Sequence, residues 1–204
     1  MKPQYTRESE KRLIKAVSKI VEEEGFLKVG INRISRIAGC DKVLIYRYFG
    51  GLNGLINAWA KENDFYVMAY ETFIEEVNIF DKGDIRNLVK KVLLAQLHFL
   101  RENRMMQELL IWELTGRSKF KALQDIREEN GYRLQQILSN IVGSENKDIN
   151  LYITVLVTAI DFVVICTRQY PVFNGVDFNR EESWDRFEKV IINYIDMLFD
   201  TIDL

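Results

Sequence analysis

Six side chains of two kinds crowd into residues 42–48: Lys42, Tyr46, Arg47 and Tyr48 carry a cation or a hydroxyl, and Val43 and Leu44 are apolar. The DNA major groove accepts that mixture. Thymine methyl groups take apolar contacts, while lysine, arginine and tyrosine hydroxyls reach phosphates or base edges. The alternative is an intramolecular core, in which the same residues pack against the helix that follows, and spacing alone leaves both readings open.

Other chemistry has little material. His98 is the single histidine, and Cys40 and Cys166 stand far apart, so neither a zinc spacing nor a disulfide framework is present. No Gly-rich phosphate loop and no carboxylate pair converging on a nucleophile can be found, so we expect neither catalysis nor a metal or cofactor. His98, Trp112 and Asp161 are the residues best suited to line an apolar ligand pocket. Asp161 interrupts the otherwise apolar run LYITVLVTAIDFVVIC, residues 151–166. A carboxylate there requires a partner, either an internal hydrogen bond or ion pair, or a ligand.

The elements that must position these residues are helices. Prolines occur only at Pro3 and Pro171, and apolar residues recur at helical spacing between them, so the fold class is all-α with no strand signal. Thr6 or Ser9 can open a first helix with Leu13, Val17 and Ile20 inward, which Gly25 closes. Gly30 precedes a short second helix with Ile34 and Ala38 inward, stopped by Gly39. Asp41 caps a third, where Ile45 and Phe49 lie four apart and share a face. Two short helices joined by a glycine turn make a helix-turn-helix. Charge agrees with that placement: residues 1–50 hold 11 Lys+Arg against 6 Asp+Glu, whereas residues 51–204 hold 17 against 24.

The stretch GFLKVGINRISRIAGCDKVLIYRYF resembles the N-terminal signature of the TetR family of bacterial transcriptional regulators, above all in the run from Ile34 through Ala38 and Gly39 to Ile45, Tyr46, Arg47, Tyr48 and Phe49. The resemblance covers residues 6 to about 58. It implies a three-helix DNA-binding head, residues 1–50, and a larger helical ligand-binding and dimerisation body, residues 51–204. The chain departs from the family pattern in three places: Val29 and Gly30 stand where it usually has Thr or Ser, Leu44 replaces a small polar residue, and Leu52 a phosphate-touching lysine. Operator sequence is therefore not transferable.

In the body, residues 52 to about 79 read as one long helix. Breaks are expected at DKGD, TGRS, GSENKD and PVFNGVDFN, and Leu88, Val92, Ala95 and Phe99 form the stripe of a fifth helix. Residues 151–166 read as a helix enclosed on all faces, since no segment reaches the roughly 18 uninterrupted apolar residues of a membrane span. Trp184, Phe187, Ile191, Tyr194 and Leu198 alternate steps of three and four, the seam of a bundle. In the family this resembles, the last two long helices form a dimer interface. The expectation is a cytoplasmic homodimeric regulator, a repressor released from a near-palindromic DNA operator by a small-molecule effector. Its rival is a helical module that binds other proteins through the same exposed face.

Overall fold

The structure, a computed structural model, describes residues 4–77, 85–114, 121–143 and 148–201. Those residues are overwhelmingly helical, and the fold is all-α. In chain order the helices are α1 (Gln4–Glu24), α2 (Ile31–Ala38), α3 (Val43–Phe49), α4 (Leu52–Asn63), α5 (Phe65–Val77), α6 (Ile85–Glu102), α7 (Arg104–Leu114), α8 (Lys121–Val142), α9 (Ile149–Gln169) and α10 (Glu181–Asp200). The expected breaks at DKGD and TGRS, and most of GSENKD, lie outside the described residues, as does the side chain of Trp112. Two compact units are formed, one from Met1–Met68 with Asn103–Glu129, the other from Ala69–Glu102 with Asn130–Leu204.

In the first unit α1 packs on α2 and α4, and α3 packs on α4. Leu13, Val17, Ile20, Ile34, Ile45, Leu55, Ile56 and Trp59 are completely buried. Burial of each such aliphatic side chain stabilises the fold by roughly 1.5–3 kcal/mol. Trp59 meets the Phe26 ring at 5.6 Å and donates its indole N–H to Ser18 Oγ at 3.0 Å. The first helix starts at Gln4, ahead of the expected caps, and Ser9 is buried within it.

The long helix expected over residues 52–79 is broken at Asp64, which has extended backbone (φ −95°, ψ 119°). Its carboxylate explains the break: Asp64 Oδ1 accepts the Val67 N–H at 3.2 Å and so caps a new helix, α5. The same carboxylate is completely buried and forks onto the Arg127 guanidinium, whose Nη1 also reaches Glu113 Oε2 at 2.7 Å. Arg127 lies 4.8 Å from the Tyr66 ring centroid. Burial by itself would lower the Arg127 pKa, but the charge and hydrogen bonds of Asp64, then of Glu113, outweigh it and hold the guanidinium above its ordinary value.

In the second unit α6 packs against α9 and α10. The buried stripe of α6 is Ile85, Leu88, Val89, Leu93, Leu97 and Leu100, so the expected stripe is rotated: Ala95 is exposed, and Val92 and Phe99 are half-buried. Nor is α9 enclosed. Ile160, Val163 and Val164 face inward, yet Leu151, Tyr152, Val155 and Phe162 are exposed along its other side. By length and composition α9 is apolar enough to cross a membrane. It carries Asp161 and Arg168 and packs on α6 and α10 along one side. A two-stranded antiparallel hairpin, β1 (Val172–Phe173) and β2 (Val176–Asp177), follows it. Both turn residues, Asn174 and Gly175, have positive φ (49° and 78°), the geometry that makes Asn-Gly the strongest short hairpin signal. No strand was expected, although this dipeptide between VF and VD carries one.

Candidate nucleic-acid interface

Local chemistry fixes the short helices α2 and α3. Gly39 ends α2 in the left-handed conformation (φ 59°), and its N–H reaches Arg36 O at 3.3 Å while the Cys40 N–H reaches Ser35 O at 3.1 Å. Ser35 Oγ in turn donates to Cys40 O, so one serine holds both sides of the turn. Asp41 Oδ1 then accepts the Val43 N–H at 2.8 Å and starts α3. On the other flank Arg33 pairs with Glu24, tying α2 to the end of α1.

With the turn fixed, the faces of α3 are decided. Ile45 is completely buried and Phe49 half-buried, which leaves Val43 60% and Tyr46 56% exposed, and Lys42 and Arg47 exposed beside them. Leu44 and Tyr48 are half-buried. Arg47 lies 5.9 Å from the Tyr48 ring centroid, so these two share one edge of the helix. The structure therefore brings Lys42, Val43, Tyr46 and Arg47 to solvent together, with Leu44 and Tyr48 at the margins. An intramolecular core against α4 does not absorb them.

Gly54 is a positional requirement that spacing did not reveal. A Cβ there would lie 1.8 Å from the Phe49 carbonyl oxygen, so only glycine lets the first turn of α4 approach the end of α3 this closely. The signal was present in GGLNGL, a glycine run that helix propensity disfavours by about 1 kcal/mol per residue.

Of the residues expected to line a ligand pocket, His98 and Asp161 take separate partners, and the side chain of Trp112 lies outside the described residues. His98 is exposed on α6 with Nε2 2.6 Å from Glu188 Oε1 of α10. Asp161, half-buried on α9, accepts a 2.7 Å hydrogen bond at Oδ1 from Gln96 Nε2, which also donates to Val157 O at 3.2 Å. Gln96 and His98 are two residues apart on one helix and so point to nearly opposite sides. One partner of Asp161 is thus the buried amide of Gln96.

The expected seam on α10 divides in two. Trp184 and Ile191 are buried within the unit, Phe187 and Leu198 are half-buried, and Tyr194 is exposed. Trp184 donates its indole N–H to Phe178 O at 3.0 Å, meets the Phe178 ring at 4.7 Å, and lies under Arg101 at 4.5 Å. It closes its own unit's core and offers no free face to a partner. The exposed apolar line on α10 is instead Val190, Tyr194 and Met197.

Ion pairs lace α6 to α10. Arg101 bonds both oxygens of Glu181 at 2.8 and 2.6 Å, Lys90 and Arg86 meet Asp196, and Arg86 Nη2 reaches Asp200 at 2.8 Å. The Arg101 hydrogen bond holds the Glu181 pKa below its usual range, and the Lys90 hydrogen bond does the same for Asp196.

No family model matches the sequence, and no curated protein matches it. The fold is similar to that of a TetR transcription regulator from Haloarcula marismortui ATCC 43049, whose crystal structure superposes with a TM-score of 0.58. That likeness covers 94% of this chain and 98% of the other, at 17% sequence identity, and is one of fold.

Proposed function

We propose that this protein is a sequence-specific DNA-binding transcriptional regulator, a cytoplasmic homodimer acting as a repressor that a small-molecule effector releases from a near-palindromic operator. The observation that carries this reading is α3: a seven-residue helix, held by a helix-turn-helix, that leaves Lys42, Val43, Tyr46 and Arg47 exposed side by side. Residues 1–50 form the DNA-binding head and residues 51–204 carry the effector and dimer functions. The charge excess of the first 50 residues and the fold likeness support it.

Homodimerisation is read from α9 and α10. Tyr152, Val155 and Phe162 on α9, and Val190, Tyr194 and Met197 on α10, are exposed apolar residues at heptad-like steps on two adjacent helices. Half-sites related by the resulting two-fold axis lie about one or more helical turns apart.

Effector binding is read from Asp161. Replacement by Asn should weaken the effector's influence on DNA affinity, whereas a purely structural Asp161 shows only a lower melting temperature.

The decisive experiment is selection of genomic fragments by the purified protein, followed by titration of a selected duplex across salt concentrations. Affinity should fall steeply with salt as Lys and Arg release counterions. A protein-binding module, the rival reading, enriches no duplex and shows no such slope.

A further inference from the structure

Arg12 lies on the exposed side of α1, its neighbours Leu13, Ala16 and Val17 buried, and its guanidinium is directed at the helix-turn-helix 26 residues further along. Nη2 donates to Ala38 O and, at 3.0 Å, to Gly39 O. These are carbonyls at the C-terminal end of α2, where the helix leaves acceptors without amide partners and carries partial negative charge. The turn's own amides are directed elsewhere: Gly39 N–H to Arg36 O and Cys40 N–H to Ser35 O. Beside the guanidinium, the Cys40 thiol reaches Ala38 O at 3.5 Å. The approach is close enough that a Cβ at Gly39 would stand 2.8 Å from Arg12 Nη2.

We propose that Arg12 is a positioning residue of the interface: it clamps the α2–α3 turn to α1 and so sets the orientation in which α3 is presented to DNA. This inference rests on the DNA-binding reading. Three residues separate Gly39 from Val43, the first residue of α3, and this intervening chain is fixed by Asp41, so a displacement of Ala38 and Gly39 is passed on to α3. A cation committed to two carbonyls differs in its signature from one that binds phosphate. Loss of a phosphate contact makes the salt dependence shallower by about one unit of log–log slope, whereas misorientation of the helix lowers affinity and leaves the slope as it was.

The test compares wild type with Arg12→Met, which keeps the stem and removes every donor. Each is titrated at several salt concentrations with a duplex recovered by wild-type selection from random sequence. Amide hydrogen exchange at Gly39 and Cys40 is measured without DNA, and circular dichroism checks helix content. The expected result is affinity lowered about tenfold, as the loss of a charge-assisted hydrogen bond implies, with an unchanged slope and faster exchange at both amides. Unchanged affinity overturns the proposal. So does a slope shallower by about one, which makes Arg12 a phosphate ligand. If wild type selects no duplex, the DNA-binding reading itself falls, and the exchange arm alone decides whether Arg12 holds the turn: unchanged exchange rejects the clamp as well.

Discussion

Asp64 and Arg127, 63 positions apart, meet in a buried ion pair at the corner where α4 gives way to α5. The carboxylate that breaks the helix is completely buried, and the guanidinium neutralises it there. Arg127→Met leaves Asp64 an uncompensated buried charge, which costs about 3–5 kcal/mol. Asp64→Asn together with Arg127→Met removes that charge while retaining an acceptor for the Val67 N–H, and should recover most of the loss. Urea unfolding measures both. Equal destabilisation in the single and double variants would sink the pairing argument.

The α6–α10 ion pairs predict a pH dependence. Glu181 and Asp196 have pKa values below their ordinary ones, so on unfolding they take up protons in the acid range. Their contribution to stability is present above the ordinary carboxylate values and is lost as pH falls through the folded ones. Unfolding curves between neutral and strongly acid pH should show the acid limb flatten in Glu181→Gln/Asp196→Asn relative to wild type. Superimposable limbs would show that the pairs are energetically idle.

Gly54→Ala and Gly131→Ala make a matched contrast inside helices. Around Gly131 nothing lies within 4 Å of an added Cβ, so alanine should stabilise α8 by up to about 1 kcal/mol. At Gly54 the Phe49 carbonyl blocks the Cβ, and the same change should destabilise instead. Thermal melts of the two variants give the signs directly, and a stabilising Gly54→Ala is the result that contradicts the close approach.

On α3, substitutions should separate affinity from specificity. Lys42→Met or Arg47→Met is expected to weaken binding to all duplexes alike and to reduce the salt slope by about one each. Leu44→Ser is expected to change discrimination at one base pair by about 1–3 kcal/mol. Competition titrations against single-base operator variants read both, and wild-type behaviour in all three would remove α3 from the interface.

The state of assembly should respond to the exposed positions of α9 and α10 and not to the buried ones. Val155→Glu or Tyr194→Glu is expected to yield folded monomers in sedimentation at micromolar concentration. Ile191→Glu, by contrast, places a charge inside the unit's own core and should lower the melting temperature. A wild-type monomer at that concentration would contradict the dimer.

Local signals made much of this molecule legible in its sequence. Gly25 and Gly39 end α1 and α2, Asp41 starts α3, and Ile45 faces inward because four-residue spacing and caps act within one or two turns of chain. The hairpin at Asn174-Gly175 was equally local and lies inside the segment PVFNGVDFN, which reads as a break between helices. What the tertiary structure decided was direction and partnership. In α9 and α10 apolar residues occur on more than one side, so periodicity could not say that Trp184 and Ile191 turn into the unit while Tyr194 and Phe162 turn outward; α6 settles that by packing on one side of each. Asp64 was invisible as a helix breaker because its burial depends on Arg127, far away in the chain, and the Arg12 clamp was invisible for the same reason. Caps and periodicity are properties of neighbouring residues, while the burial of a charge is decided by whichever distant group can satisfy it.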